Sequence, residues 1–319
     1  MPDRKFDAAL RDAHPRPACS DAERRLALAA ADAVRARGRR ADLTTYWVRG
    51  GEADIAAAHA ALGVAASLLA LSHPVAGTAL AAAALLSLLL DAGAWVRPLR
   101  LLVPARATQA LVSPAPSAPG AGATDLFLTV RTDVPGRGLI DRGPLARLAP
   151  ERILAVALAL TAVVGGARIA GAGDVAVDVA QMLVTVVLLV VGAGLLDRAL
   201  SRPGAAARRQ GDAALRSALA VLDRLDADPP SHMAVTLVLC GAGSGTMRPV
   251  LRGLRRGGVR QTDLAVLELT GTAGETPVWW RSEGRVLPLR FHPALLRAAR
   301  ATAAAEPHLG AREVRGSDD

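Results

Sequence analysis

Two cysteines, four tryptophans, one tyrosine, three phenylalanines and a single lysine, Lys5, leave this 319-residue chain without several common signatures. Cys19 and Cys240 are far apart in sequence, so neither a disulfide framework nor a zinc finger follows from them. The net charge of +9 comes from arginine spread through every polar segment, not from a basic stripe interleaved with aromatics, which argues against a nucleic-acid partner. The first 50 residues are charged throughout and lack the apolar core of a signal peptide. Lysine and arginine are also nearly absent from two long stretches, and there the chain becomes informative.

Residues 55–96 and 153–196 are apolar, and each holds two runs near the roughly 20 residues that a helix needs to cross a hydrocarbon core. They read as two transmembrane hairpins, four helices in all. The first breaks at Ser72-His73-Pro74, and the second around 165–174. Asp91, Asp178, His59 and Arg168 are the costly polar residues inside them. Asp178 admits two readings, a polar contact inside the bundle or an interfacial carboxylate one turn into the fourth helix. Of the 38 basic residues, Arg168 alone falls within a hairpin, so segments 1–54, 97–152 and 197–319 are expected to be cytoplasmic, with both termini on that side of a cell membrane.

The three polar segments together suffice for one domain with a core. Ser20-Asp21 opens a helical pattern carrying Leu26, Ala29, Ala33 and Val34, which Gly38 closes, and 43–48 reads as a strand. Residues 101–103 and 109–112 are strand-like, 113–122 is a proline, glycine and serine linker, and 126–130 is an apolar strand. Beyond the second hairpin, 212–225 has helical spacing, 234–240 is an apolar strand, 241–245 a glycine-rich turn, 249–256 a helix and 264–269 a further strand. Continuous apolar strands separated by helices predict an α/β domain with a mostly parallel sheet, assembled across the membrane insertions.

Turns after such strands are where α/β folds place their chemistry. The turn at 241–245 lacks the Gly-Lys-Ser/Thr ending of a P-loop and gives no complete G-x-G-x-x-G. Ser244 is followed at once by Gly245, so the G-x-S-x-G nucleophile elbow is not formed either.

The order of segments resembles the co-catalytic zinc aminopeptidases in the form carried by multi-pass bacterial membrane proteins. Residues 126–133 match that family's strand ending in H-x-D, 210–218 its helix opened by G-A-x-D-N-A-S-G, 235–245 its strand ending in G-x-E-E-x-G, and 266–271 its strand ending near an aspartate and glycine. The resemblance implies a zinc-aminopeptidase-like sheet and a two-zinc site. It also implies that the site is degenerate. Arg131 stands for the ligand histidine, Asp133 is retained, Asp212 corresponds to the bridging aspartate, and Gly243 and Ser244 replace the paired glutamates. Glu268 stands for an aspartate ligand, and the chain ends before the family's final histidine. His292, before a proline-started helix, is not a substitute for it.

Asp133, Asp212 and Glu268 remain weak metal candidates, since carboxylates beside a fixed arginine charge suit zinc poorly. Arg131 is expected to replace the missing cation among those three carboxylates. The expected function is therefore a non-catalytic binding or scaffolding module in the bilayer, without cofactor, that takes a protein or peptide partner. Two alternatives are a residual zinc-dependent peptidase, rearranged or completed by a partner, and a transport or assembly component. The run 277–280, with Trp279 and Trp280 and with Arg281 and Arg285 nearby, reads either as a recognition surface or as a half-buried edge strand.

Overall fold

The computed structural model describes residues 2–93, 96–116, 124–141, 149–256, 260, 264–271, 276–284, 286–287 and 289–314. Part of the predicted linker, and Arg285, lie outside them. In chain order the elements are α1 (Pro2–Asp12), α2 (Asp21–Arg35), β1 (Asp42–Arg49), α3 (Glu52–Ser72), α4 (Pro74–Ala92), β2 (Ala105–Ser113), β3 (Thr124–Arg131), α5 (Pro150–Ile169), α6 (Val175–Leu200), α7 (Ala205–Ala227), β4 (Met233–Cys240), α8 (Ser244–Arg256), β5 (Leu264–Leu269), β6 (Val278–Trp280), β7 (Ser282–Glu283), β8 (Leu289–Arg290), α9 (Pro293–Ala305) and β9 (Arg312–Val314). They form two units. The first comprises Met1–Arg49, Pro104–Gly136 and Arg202–Ala273, and the second Gly50–Val103, Arg137–Ser201 and Gly274–Asp319.

The first unit is α/β. Its sheet has the order β1-β2-β4-β3-β5. Side chains alternate across it with the two-residue period of a pleated strand. Leu128, Val130, Val235, Leu237 and Leu239 meet α1, α2 and α7 through Phe6, Leu26 and Leu215, while Phe127, Val238 and Cys240 meet Val250 and Met247 of α8. Helix α2 begins where Ser20 Oγ accepts the Glu23 N–H at 3.1 Å, and Gly38 beyond its end takes φ +81°. On α7, Leu215, Leu219 and Leu222 are buried, as their helical spacing predicts.

The sheet is mixed, not mostly parallel. β3 runs parallel to β4 and β5, whereas β2 is antiparallel to both β1 and β4. Connectivity gives the reason. A helical hairpin that leaves and re-enters at one end of a sheet does not carry the chain along it, so strands joined only by such a hairpin must be antiparallel. β1 and β2 are joined in that way, and Arg49 pairs with Ala105 where the chain departs and returns. Between β3 and β4 the chain also passes through α7, whose 23 residues make the return needed for a parallel pair.

Two local expectations also change. Residues 101–103 are not a strand, because a 3-10 turn spans Leu99–Leu102. The glycine-rich turn is shorter than expected, since α8 starts at Ser244 and contains Pro249.

The second unit contains four helices, α3, α4, α5 and α6, of 21, 19, 20 and 26 residues and mean hydropathy 1.8, 1.9, 1.8 and 2.5, long and apolar enough to cross a membrane. Small residues let them approach closely. A side chain at Gly63 would collide with Leu158 and Leu188, and one at Gly77 with the backbone of Ala70. Several polar groups on these helices are hydrogen-bonded within the bundle. His59 meets the Ile55 carbonyl at 2.8 Å through Nδ1 and Ser87 Oγ at 3.0 Å through Nε2. A carbonyl only accepts, so Nδ1 carries the proton and Nε2 accepts from the serine. Near the tips, Arg168 bonds Gln181 and pairs with Asp178, whose side chain is 61% exposed. Asp178 is therefore not buried in the interior of the bundle.

In the remainder of this unit, β6 pairs with β9 in parallel and β7 with β8 antiparallel. Trp279 and Trp280 lie half-buried on β6.

Gly77→Ala is expected to destabilise the protein by about 1–3 kcal/mol, the usual range for overpacking, because the new methyl meets backbone and not a movable side chain. Gly166→Ala, where the space is open, should leave the thermal midpoint in detergent unchanged or slightly raised.

Candidate functional site

Parallel pairing of β4, β3 and β5 in register brings the carboxyl ends of three matched segments side by side. Arg131, the last residue of β3, pairs across the sheet with Cys240, the last of β4. Its guanidinium grips Asp133 with both arms, at 3.3 and 2.8 Å, and Asp133 is buried. Gly243 takes φ +49° in the turn after β4, and a Cβ placed there would lie 2.7 Å from Arg131 Cζ. Gly243 is thus the residue that makes room for the Arg131 guanidinium.

Asp212, on the second turn of α7, has different partners from those expected. Arg16 Nη2 donates to its Oδ1 at 3.1 Å, and His14 Nε2 meets its Oδ2 at 3.3 Å. Both belong to His14-Pro15-Arg16-Pro17, which joins α1 to α2, and the Val134 N–H fixes that link by donating to the Arg16 carbonyl at 2.8 Å. Arg16 is 0% exposed. Burial lowers its pKa, while Asp212, Asp133 and Glu23 oppose that shift. Arg131 is therefore not the sole counter-charge of the three carboxylates. It takes Asp133, Arg16 takes Asp212, and Glu268 lies exposed on β5 beside Thr129 of β3.

Glu23, in the first turn of α2, is a further buried carboxylate of this region. It accepts from the Cys19 N–H and from Thr108 Oγ1, and any side chain at Gly241 would overlap it. Burial raises its pKa. Burial, reinforced by nearby carboxylates, pushes the thiols up as well, Cys19 to about 11 and Cys240 to about 12, so neither is a reactive thiolate at neutral pH. Ser244 begins α8, and His292 caps α9 by accepting the Ala294 N–H at 3.3 Å.

These residues do not fit a pair of zinc ions. Asp133 and Asp212 already face guanidinium groups, Arg131 offers no lone pair, and among the described residues no group of three His, Cys, Asp or Glu side chains could hold a metal ion. No family model, curated protein or solved structure matches the chain.

Arg16→Met leaves Asp212 without its buried cation, and the expected loss is about 3–5 kcal/mol, read as a lowered thermal midpoint. Asp212→Asn in the same chain should recover much of it. Because the folded pKa of Glu23 is raised, the folded state binds that proton more tightly than the unfolded chain. Its contribution to stability is then full at acid pH and is lost as pH rises from the ordinary carboxylate range through the raised value. Glu23→Gln should remove that decline from a series of melts between about pH 4 and about pH 8.

Proposed function

We propose that this chain is a membrane-embedded, non-catalytic relative of the zinc aminopeptidases, whose α/β unit serves as a binding or scaffolding module for a protein or peptide partner. One observation carries the reading. The two aspartates corresponding to family positions Asp133 and Asp212 are each held by a guanidinium of the same chain, where the family chemistry requires zinc. Supporting it, the segments at 126–133, 235–245 and 266–271, matched from sequence order alone, lie on adjacent parallel strands. The zinc-aminopeptidase-like sheet belongs to the same proposal.

The same proposal makes the chain a multi-pass protein of the cell membrane with both termini cytoplasmic. Arginine distribution supports that orientation. The antiparallel β1–β2 pair and the β3–β4 pair, each flanking one hairpin, support an even number of crossings in each.

Metal content by mass spectrometry on the detergent-purified protein, with Asp212→Ala as control, tests the proposal. The expected result is no stoichiometric metal in either sample. About two zinc ions per chain, lost in the control, would overturn it in favour of a metallopeptidase.

A further inference from the structure

The ends of the two hairpins nearest the sheet segments share a device that neither the fold nor the proposed function uses. At the first, Arg100 is buried and bonds Asp91 near the end of α4 with both arms, at 2.8 and 3.1 Å, and the Gly50 carbonyl just before α3 at 2.9 Å. This clamp fixes the 3-10 turn Leu99–Leu102 against both helix ends. While Arg100 points inward, Leu101 and Leu102 are 68% and 81% exposed.

The second hairpin repeats the arrangement with different residues. Arg198, near the end of α6, bonds Asp141 and also Glu151 at the start of α5, the latter at 2.7 Å. Asp197 accepts the Leu139 N–H at 2.6 Å, and Gly138 has no side chain where one would strike the Arg198 backbone. A second 3-10 turn, Leu139–Asp141, is thereby held on the helix. Ile140 is buried against Gly194, whereas Leu139 is 69% exposed.

Exposed leucines on rigid, charge-clamped turns are costly in water, by the same hydrophobic effect that buries leucine elsewhere. Here they lie at the ends of four membrane-length helices, where Val96 and Leu200 are exposed too. That continuity with the lipid-facing helices identifies the occupant. We propose that the turns Leu99–Leu102 and Leu139–Asp141 are lipid anchors, inserting Leu101, Leu102 and Leu139 into the acyl–headgroup boundary of the adjoining leaflet, with Arg100 and Arg198 holding them at that depth.

Nitroxide labels at Leu102→Cys and Leu139→Cys, in the full chain carrying Cys19→Ala and Cys240→Ala and reconstituted in phospholipid nanodiscs, test the proposal. A label at Arg25→Cys on α2 provides the aqueous reference. The first two labels should collide with oxygen in preference to a water-soluble nickel chelate, with a ratio several-fold above the reference. Ratios equal to the reference at both turns would overturn the anchor. Arg100→Ala should then move the label at 102 towards the reference and leave that at 139 in place, and an unmoved label at 102 would overturn the clamp. If Arg100→Ala does not elute as its parent does, Asp91→Asn gives the same reading, because it removes the charge while keeping the side-chain shape.

Discussion

A guanidinium placed wholly out of water must be met by carboxylates, and in the α/β unit this requirement falls on Arg16. Its partner Asp212 is on α7, its carbonyl is bound by Val134 beyond β3, and Asp133 and Glu23 act on its charge. One buried cation therefore commits the α1–α2 link, the start of α7 and the end of β3 to a single arrangement. Removing either partner alone takes from the other its direct ion pair in a largely buried site, so the two positions are coupled far more strongly than an exposed pair on α2 such as Arg24 and Asp21. The same constraint bears on chemistry. A carboxylate that neutralises an arginine is a poor general base and an occupied ligand.

Among the helices of the second unit the corresponding constraint is that each polar side chain needs a partner within reach. His59 with Ser87, Ser67 with Thr185, and Gln181 with the Ser67 carbonyl tie helices together. The charged pairs lie towards the helix ends, Arg168 with Asp178 near the tip of the second hairpin and Arg100 with Asp91 and Arg198 with Glu151 at the opposite ends. Polarity is thus distributed along the helices, with neutral hydrogen bonds between them and charge at their ends.

The four membrane-length helices were legible because a helix in lipid must be apolar residue by residue, a local property that needs no knowledge of the rest of the fold. The α2 start at Ser20 and the burial of Leu215, Leu219 and Leu222 were legible for similar reasons, through capping chemistry and helical spacing. Strand direction was not, since it depends on which end of the sheet a connection returns to. The turn at Leu99–Leu102 was misread because its apolar residues suggested a strand, while the tether through Arg100 to Asp91 and Gly50 cannot be seen from local pattern. The candidate site was legible in part. Arg131, Asp133 and Gly243 do come together, but Arg16 was missed because it meets a partner almost 200 positions away, |i−j| = 196. Its one sequence cue is an arginine enclosed by Pro15 and Pro17, which by itself reads only as a rigid link.

The interleaving of sheet and hairpins also has a consequence for synthesis. β4 lies between β2 and β3, so the middle of the sheet is the fourth strand to be made, and it emerges only after all four membrane-length helices. Until then β2 and β3 have no partner on their facing sides. Strands of one sheet must share one compartment, so an odd number of membrane crossings between β1 and β4 is incompatible with this sheet. The core of the α/β unit is therefore completed only once β4 has been made, and until then β2 and β3 present open strand edges.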